Sequence, residues 1–202
     1  MRQTKRALKH SELRQRIFDA ALKLFRSKGV VNATIREIAK EAQVGVGTVF
    51  NYFDGKEGVL AEVGRLRQER LETLVADMWQ SAEPTQARIE RILRAMVEDM
   101  EREPTLTRAM VRASLASPSL FHGERARYVA LSTLLAGVIR EGQTRGEVAA
   151  DCDADLVAHL LISIYVTLTL DWAEGVEEYA MLPTLLMHVE TLWRGVAPHP
   201  AG

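Results

Sequence analysis

Several features that mark other classes of protein are scarce or missing in this 202-residue sequence. It has a single cysteine, Cys152, so an internal disulfide framework is excluded and a reducing compartment is favoured. Its most apolar run, LLISIYVTLTL at 160–170, is shorter than the roughly 20 residues that cross a bilayer. The basic first ten residues are not followed by the apolar core of a signal peptide. We therefore expect a soluble, cytoplasmic protein with no membrane partner.

Signals for catalysis and for metal binding are also weak. The five histidines have no metal-ligand spacing, and no phosphate-cradling glycine loop or nucleophile motif is found. The segment DCDADL at 151–156 begins like a calcium loop, but Leu156 and Ile162 stand where that loop needs glycine and glutamate. Its aspartates are better placed to begin a helix, where negative charge suits the helix dipole. We expect no catalytic residues, no metal and no cofactor.

Lysine is absent after Lys56, and this absence is part of a lopsided charge distribution. Residues 1–60 hold 12 Lys and Arg against 6 Asp and Glu, whereas residues 61–202 hold 14 against 21. The formal net charge of −1 therefore conceals a basic N-terminal part and an acidic remainder. This division suggests that the N-terminal part meets a polyanion, with an accidental charge gradient as the alternative.

Helical periodicity is present along almost the whole chain. Residues 11–28 have apolar side chains at helical spacing, and Gly29 ends the pattern. Thr34 and Glu37 have the spacing of a capping box before a short second helix. The other predicted helices are 56–80, two that begin near Pro84 and Pro104, one from Ser119 to Arg145 that stops at Gly146, 153–172 and about 181–195. We predict an all-α fold.

The segment VGVGTVFNYF at 44–53 is the one place that resembles a strand, because β-branched and aromatic residues alternate with Gly and Asn. Only two residues separate Gly45 from a helix that ends near Ala42, which leaves no room for a paired strand. As a helix, it has one apolar face, formed by Val46, Val49, Phe50 and Phe53. This interpretation gives three helices with a tight turn before the last one. That is the arrangement of a helix-turn-helix, whose last helix enters the DNA major groove.

Residues 17–60, IFDAALKLFRSKGVVNATIREIAKEAQVGVGTVFNYFDGKEGVL, resemble the N-terminal domain of the TetR family of bacterial transcriptional regulators. The shared elements are AALKLF ending at Lys28-Gly29, Thr34 before IREIA, Gly47-Thr48, the aromatic series to Phe53, and Lys56-Glu57. Beyond residue 60 the resemblance rests on length and all-α character. It implies a helix-turn-helix DNA-binding domain at 1–60 with a basic tail at 1–10. A long helix would join it to a helical ligand-binding and dimerisation domain at 61–202.

The resemblance also implies which positions contact DNA. Thr34 would hold a phosphate as well as cap its helix, Arg36 would reach a base edge or phosphate, and Lys56 would meet a phosphate. The recognition helix would supply Gly45, Val46, Gly47, Thr48, Phe50, Asn51 and Tyr52. For Thr34 and Gly47 a structural role is an equal alternative. The basic tail either adds phosphate or minor-groove contacts or is merely solvated; its cations are Arg2, Lys5, Arg6 and Lys9.

Four positions depart from the family pattern. Gln43 replaces a frequent turn glycine, so we expect a left-handed backbone at a non-glycine residue. Gly45 replaces a capping serine and should be a weaker N-cap. Val46 replaces a polar base reader and offers only apolar contact, for example to a thymine methyl group. Phe50 lacks the hydroxyl of the usual tyrosine. These departures alter the expected base-reading code and leave DNA binding in place.

Residues 156–170 are apolar on nearly every side of a helix, which indicates burial against two neighbours. The resemblance implies that this helix and the last one pair with their mates in a homodimer across a two-fold axis. An ordinary monomeric core is the alternative. The predicted interface residues are Leu161, Leu168, Leu185, Leu186, Val189, Leu192 and Trp193. A two-fold dimer matches a palindromic operator.

The middle helices carry Met and aromatic residues that suit an adaptable ligand cavity and equally suit plain core. These residues are Trp79, Met96, Met100, Met110, Phe121, Tyr128, Tyr165 and Trp172. The leading functional hypothesis is a repressor released from a palindromic operator by a small apolar or amphipathic effector. The alternative is a DNA-bound interaction protein with no small-molecule effector, whose C-terminal domain docks another protein.

Overall fold

The computed structural model describes residues 2–78, 81–175 and 180–196, and every regular element in these ranges is an α-helix. The predicted all-α fold is confirmed. The helices are α1 (Arg2–Asn32), α2 (Ile35–Glu41), α3 (Val46–Tyr52), α4 (Gly55–Met78), α5 (Thr85–Glu101), α6 (Pro104–Ala116), α7 (Pro118–Thr144), α8 (Ala154–Glu174) and α9 (Met181–Val196).

Local sequence signals at the helix ends behave as predicted. Gly29, at φ 81° and ψ 157°, breaks the helical geometry of α1, and Gly146 follows the end of α7 with φ 73°. Asp153 caps α8, because its carboxylate accepts hydrogen bonds from the backbone N–H groups of Asp155 at 3.0 Å and Leu156 at 3.1 Å. The aspartates of DCDADL therefore begin a helix and do not form a calcium loop.

Two helix starts differ from the prediction. Helix α1 begins at Arg2 and not near residue 11, so most of the expected basic tail is helical. This is consistent with the good helix formers Arg, Gln, Lys, Ala and Leu in that segment. Helix α7 begins at Pro118, one residue before the predicted cap Ser119. Proline fits the first position of a helix because its missing N–H would have no intrahelical partner there.

The chain divides into two compact units. The first unit consists of residues 1–65 and 104–120, and the second of residues 66–103 and 121–202. Helix α4 contributes residues 55–65 to the first unit and 66–78 to the second. The sequence predicted a single domain boundary at residue 60. The observed division is different, because α6 belongs to the first unit, where it packs against α1.

The core of the first unit positions the helix-turn-helix. Helices α1 and α2 pack together, as do α2 and α3. The Phe18 and Phe53 rings stack with their centroids 6.1 Å apart, which anchors the end of α3 on α1. The buried apolar side chains of α1 to α3 and the start of α4 include Ile17, Ala21, Phe25, Ile38, Ala39, Ala42, Val49, Val59 and Leu60.

The core of the second unit is formed by α5, α7, α8, α9 and the end of α4. Its buried side chains include Leu71, Val75, Ile92, Leu93, Leu135, Ile139, Val157, Leu161 and Leu185. Arg88 is fully buried in this unit and pairs with Glu141 at 2.6 Å. In the described part of the chain, α8 is the one helix long and apolar enough to cross a bilayer by composition, but its inward face forms part of this core.

Candidate functional site

The turn between α2 and α3 sets the position of the recognition helix. The Val44 N–H donates to the Ala39 carbonyl at 2.9 Å and the Gln43 N–H donates to the Lys40 carbonyl at 3.1 Å. This pair of bonds is a Schellman motif, in which the residue after the C-cap takes a left-handed backbone. That residue is Gln43, at φ 54°. The left-handed backbone expected at this non-glycine residue is confirmed.

Helix α3 starts without a side-chain cap. Gly45 is extended, at φ −73° and ψ 151°, and only its carbonyl takes part, accepting from the Thr48 N–H at 2.9 Å. Gly45 therefore contributes no side-chain hydrogen bond to the cap, and the lower strength of this N-cap stays a prediction. A β-carbon on Gly45 would lie 3.8 Å from the Thr48 hydroxyl oxygen, so a capping serine would fit.

The two faces of α3 have different surroundings. Val49 and Phe53 are buried, as predicted, whereas Val46 and Phe50 are 40% and 54% exposed. The prediction of a single apolar face was therefore wrong for Val46 and Phe50. The reason is that a seven-residue helix packed on α2 turns only one narrow stripe inward. Val46 and Phe50 lie instead on the outer surface with the exposed Gly45, Gly47 and Asn51; Thr48 and Tyr52 are partly buried.

Thr34 forms the predicted capping box at the start of α2. Its hydroxyl accepts from the Glu37 N–H at 3.2 Å, and its own N–H donates to the Glu37 carboxylate at 3.0 Å. Lys28 also pairs with that carboxylate. The Lys28 ammonium and then the Thr34 hydroxyl and N–H lower the pKa of Glu37 from 4.5 to about 2. Thr34 thus has a structural role, and its phosphate contact stays a prediction.

Lys56 has a partner that the sequence did not suggest. Its ammonium group donates to the carbonyls of Val30 at 2.7 Å and Val31 at 3.1 Å, at the end of α1. A cation at these carbonyls is favourable, because the C-terminal end of a helix carries partial negative charge. Lys56 therefore joins the start of α4 to the end of α1. Its contact with a DNA phosphate stays a prediction, as does that of the exposed Arg36 on α2.

The N-terminal extension of α1 reaches the recognition helix. The His10 and Tyr52 rings lie with their centroids 4.5 Å apart and inclined by 41°. One turn further on, the Arg14 guanidinium lies 4.8 Å from the centroid of the Phe53 ring. Neither contact was predicted. Residues 1–10, which include His10, were expected to form a tail, and the contact of Arg14 with Phe53 joins positions far apart in the sequence. The side chains of Arg2, Lys5 and Arg6 lie outside the described part, and Lys9 is exposed on α1.

A buried carboxylate ties α1 to α4 beneath this surface. Glu62 accepts from Arg14 at 2.6 Å, and from Arg65 at 2.8 Å and 2.9 Å. The hydrogen bonds from Arg14 and then Arg65 lower the pKa of Glu62 from 4.5 to about 2. The carboxylate therefore stays charged at neutral pH. It holds Arg14 against Phe53 and so supports the end of the recognition helix.

The predicted interface residues of α8 and α9 do not all face outward. Four are buried in the chain's own core because α8 and α9 pack together: Leu161, Leu168, Leu185 and Val189. These four are therefore not available to a partner subunit. Leu186, Leu192 and Trp193 are partly buried. The exposed apolar side chains of the same helices are Leu156, Leu160 and Met187, so α8 is not buried on nearly every side as expected.

The predicted ligand residues are also divided. Met96, Met100 and Tyr165 are buried in the core of the second unit, with Tyr128 and Trp172 packed against it. Met110 is buried in the first unit, because α6 packs on α1, and Phe121 is 48% exposed. Met110 and Phe121 are therefore not part of the core that contains the other five. Trp79 lies outside the described residues.

In the described part of the chain, the N-terminal unit presents a helix-turn-helix, the arrangement found in a large class of DNA-binding proteins. The family model "Bacterial regulatory proteins, tetR family" matches residues 17–63. The uncharacterised HTH-type transcriptional regulator TtgW of Pseudomonas putida is 47% identical over 68 residues, which are 34% of this chain and 51% of that protein. The HTH-type transcriptional repressor KstR of Rhodococcus jostii is 34% identical over 102 residues, 50% of this chain and 47% of that protein. The chain spans about half the length of these curated relatives.

The likeness to a solved structure extends over both units. Thermus thermophilus FadR, a TetR family transcriptional repressor in complex with lauroyl-CoA, has 29% identity and a TM-score of 0.76. The match covers 94% of this chain and 100% of that chain. Residues 17–63 therefore have the sequence of the DNA-binding domain of the TetR family of bacterial regulatory proteins, and the fold of both units is similar to that of a TetR family repressor. The three relatives are regulators of transcription and not enzymes.

Proposed function

We propose that the protein is a transcriptional repressor that binds a palindromic operator as a homodimer and is released by an amphipathic effector held in its second unit. The observation that carries the proposal is the outer surface of α3, where Val46, Phe50 and Asn51 are exposed at the end of a helix-turn-helix. Exposed large apolar side chains beside a polar one suit a groove of DNA, where thymine methyl groups and base edges lie together. An intracellular location follows from this role.

DNA contact is assigned to two groups of residues. Val46, Gly47, Thr48 and Asn51 would face the base edges from α3. Phosphate contacts would come from Thr34, Tyr52, Lys56 and the backbone N–H of Gly45. Arg36 would reach a base edge or a phosphate, and the Phe50 ring would pack against the wall of the groove. Phosphate contacts position the domain and base contacts select the operator. The surplus of Lys and Arg in residues 1–60 supports this assignment, because phosphates dominate the affinity.

The homodimer is assigned to the outer faces of α8 and α9. Leu156 and Leu160 lie one turn apart on α8 and are 54% and 39% exposed, while Met187 on α9 is 61% exposed. Burial of these side chains in a four-helix bundle with a second copy would remove apolar area from water. Leu186, Leu192 and Trp193 remain candidates for the edge of the same interface.

The effector is assigned to the core of the second unit, near Met96, Met100, Tyr128, Tyr165 and Trp172. The ligand named for Thermus thermophilus FadR, lauroyl-CoA, is amphipathic, and this supports an effector of the same general character. The competing function is a DNA-bound protein without an effector, which would use the exposed face of α8 and α9 to dock a different protein.

The experiment starts from a random double-stranded DNA library. The purified full chain selects duplexes, and fluorescence anisotropy then measures the affinity for the selected sequence. We expect an inverted repeat bound by a dimer, with affinity reduced at least about tenfold by an amphipathic effector. The effector and operator must weaken each other's binding by the same factor. Equal effector affinity with and without operator would leave the interaction protein as the better explanation. Failure to select any duplex would exclude both functions.

A further inference from the structure

One face of α1 contacts the end of the recognition helix at three successive turns. The Phe18 ring stacks on the Phe53 ring, with centroids 6.1 Å apart, and the Arg14 guanidinium lies 4.8 Å from the Phe53 centroid. One turn before Arg14, the centroid of the His10 ring lies 4.5 Å from that of Tyr52. Residues four positions apart are neighbours on a helix surface, so His10, Arg14 and Phe18 form a single stripe.

This stripe runs from the core to the surface. Phe18 and Phe53 are 5% and 4% exposed, so they belong to the core of the first unit. The side chain of Arg14 is 37% exposed, and His10 is exposed. A ring pair at the surface removes little apolar area from water, so the His10 contact adds little to the core. Its main consequence is the orientation of the Tyr52 side chain.

Tyr52 is the last residue of a helix of only seven residues. Short helices fray at their ends, and the next residue, Phe53, is already extended at φ −140° and ψ 134°. The tyrosine side chain rotates about two bonds, and fixing both rotations costs conformational entropy. A ring supplied by a different helix restricts these rotations before DNA is bound, so less entropy is lost on binding.

The contact leaves the polar group of Tyr52 available. In the part of the chain that the structure describes, no hydrogen bond engages the Tyr52 hydroxyl or the His10 ring. A phenol hydroxyl can donate to a phosphate oxygen. The neighbouring Asn51 is exposed at the same end of α3. The two rings therefore meet beside the surface assigned to DNA, with the hydroxyl still able to bind a phosphate.

We propose that His10 is a positioning residue for operator binding, because its ring holds the Tyr52 side chain in the orientation in which the hydroxyl meets a DNA phosphate. This inference rests on the proposed function and adds the N-terminal turns of α1 to the DNA-binding part of the chain. Those turns precede residue 17, where the match to the family model begins. His10 acts through Tyr52 and makes no contact with DNA itself.

Fluorescence anisotropy with the selected operator duplex tests this role through a double-mutant cycle. Tyr52→Phe keeps the ring and removes the hydroxyl, so it should weaken operator binding about fivefold or more. His10→Ala should weaken operator binding about threefold or more in the parent chain. In the Tyr52→Phe background, His10→Ala should weaken it less than about twofold, because the group that His10 positions is absent.

His10→Phe separates positioning from direct contact. Phenylalanine keeps a ring that can pack on Tyr52 but has no N–H to donate to DNA, so operator affinity should stay within about twofold of the parent chain. Ser11→Ala is the matched control, because Ser11 is exposed next to His10 on the same helix and should leave the affinity unchanged. Alanine is a better helix former than histidine, so His10→Ala should keep α1 intact, which circular dichroism and urea unfolding verify.

Nuclear magnetic resonance of the full chain without DNA tests the contact alone. The aromatic ring of Tyr52 lies close enough to shift the imidazole proton resonances of His10, so Tyr52→Ala should move them. The His10→Ala variant identifies these resonances by their loss. Resonances of His10 that stay unchanged in Tyr52→Ala would refute the contact and with it the positioning role.

Three results of the operator measurements would also overturn the inference: an affinity unchanged in His10→Ala or in Tyr52→Phe, an equal loss in His10→Ala and His10→Phe, or a His10→Ala effect as large in the Tyr52→Phe background as in the parent chain. Arg36→Ala separates these failures from that of the proposed function. Operator binding that depends on Arg36 but not on His10 refutes the positioning role alone. A chain that selects no duplex refutes the repressor and this role together.

Discussion

Arg36 and Tyr52 are the side chains whose removal best tests the assigned DNA surface. Arg36 is exposed on α2, and Tyr52 lies at the end of α3 with its ring against His10. Arg36→Ala and Tyr52→Ala should each weaken operator binding about fivefold or more, because a base or phosphate contact is lost. The helical circular-dichroism signal should not change.

Arg112→Ala is the charge-matched control for this experiment. Arg112 is exposed on α6, in the same unit but outside the helix-turn-helix, so its removal should have little effect on operator affinity. Operator binding by both test variants at the level of the parent chain would show that Arg36 and Tyr52 have been assigned wrongly.

Gln43 carries the strain of the turn before the recognition helix. A left-handed backbone costs an L-residue with a β-carbon roughly 1 kcal/mol, and more when the side chain is branched. Gln43→Gly removes this strain but gives the unfolded chain more freedom, so we expect a gain of about 0–1 kcal/mol. Gln43→Val should lose about 1–2 kcal/mol, with Gln43→Asn between glycine and glutamine. Urea unfolding measures the order of stability of these variants. A Gln43→Val variant as stable as the parent chain would contradict the strain assigned to Gln43.

At the scale of the helices, Glu62 holds α1 and α4 together. Since its pKa is lowered to about 2, its contribution to stability is present above pH 4.5 and is lost as the pH falls towards 2. Glu62→Gln should lower the free energy of unfolding by about 1–2 kcal/mol at pH 7, because the charge-assisted hydrogen bonds from two guanidinium groups are lost. The loss is not larger because both guanidinium groups are partly in solvent. The difference in the free energy of unfolding between this variant and the parent chain should become smaller as the pH falls from 4.5 to 2.

Thermal unfolding across this pH range provides the measurement. Glu57→Gln is the control, since Glu57 is exposed on the same helix and accepts from the neutral hydroxyl of Ser117 at 2.8 Å. Glu57→Gln should lower the stability at pH 7 by less than Glu62→Gln does. A Glu62→Gln deficit that stays constant from pH 7 to pH 2.5 would contradict the ion-pair explanation.

The outer face of α8 is expected to hold the dimer together. Leu160→Glu places a charge among apolar side chains that the second subunit would cover, so it should convert the dimer to monomer in light scattering after gel filtration. Val129→Glu is the matched control, because Val129 is 59% exposed on α7 and lies outside the proposed interface. A parent chain that is monomeric, or a Leu160→Glu chain that stays dimeric, would refute this assignment.

For the whole molecule, the uneven distribution of charge predicts the response to salt. The net charge is −1, yet residues 1–60 carry twice as many Lys and Arg as Asp and Glu. Counterion release depends on local phosphate contacts and not on net charge. Operator affinity should therefore fall steeply between about 50 mM and 200 mM salt, and Arg36→Ala should make the logarithmic slope shallower by about one if Arg36 meets a phosphate. An affinity that does not change with salt would exclude a phosphate-dominated interface.

Features that depend on neighbouring residues could be read from the sequence. The capping box of Thr34 and Glu37, the break in helical geometry at Gly29 and the left-handed Gln43 follow from side chains and backbone within a few positions. Hydrophobic periodicity likewise located the long helices, because a helical face is a local repeat. The basic N-terminal part and the motif of residues 17–60 were sufficient to recognise the helix-turn-helix.

Which faces of those helices are covered could be learned only from the folded chain. Periodicity could not separate Leu161, which lies in the core, from Leu160, which is exposed, because α8 is apolar on most sides. The contact of Lys56 with the end of α1, and that of Arg67 with Asp99, join residues 25 or more positions apart. Such pairings depend on how separate helices pack, and packing is determined by the summed burial of many side chains and not by any one segment.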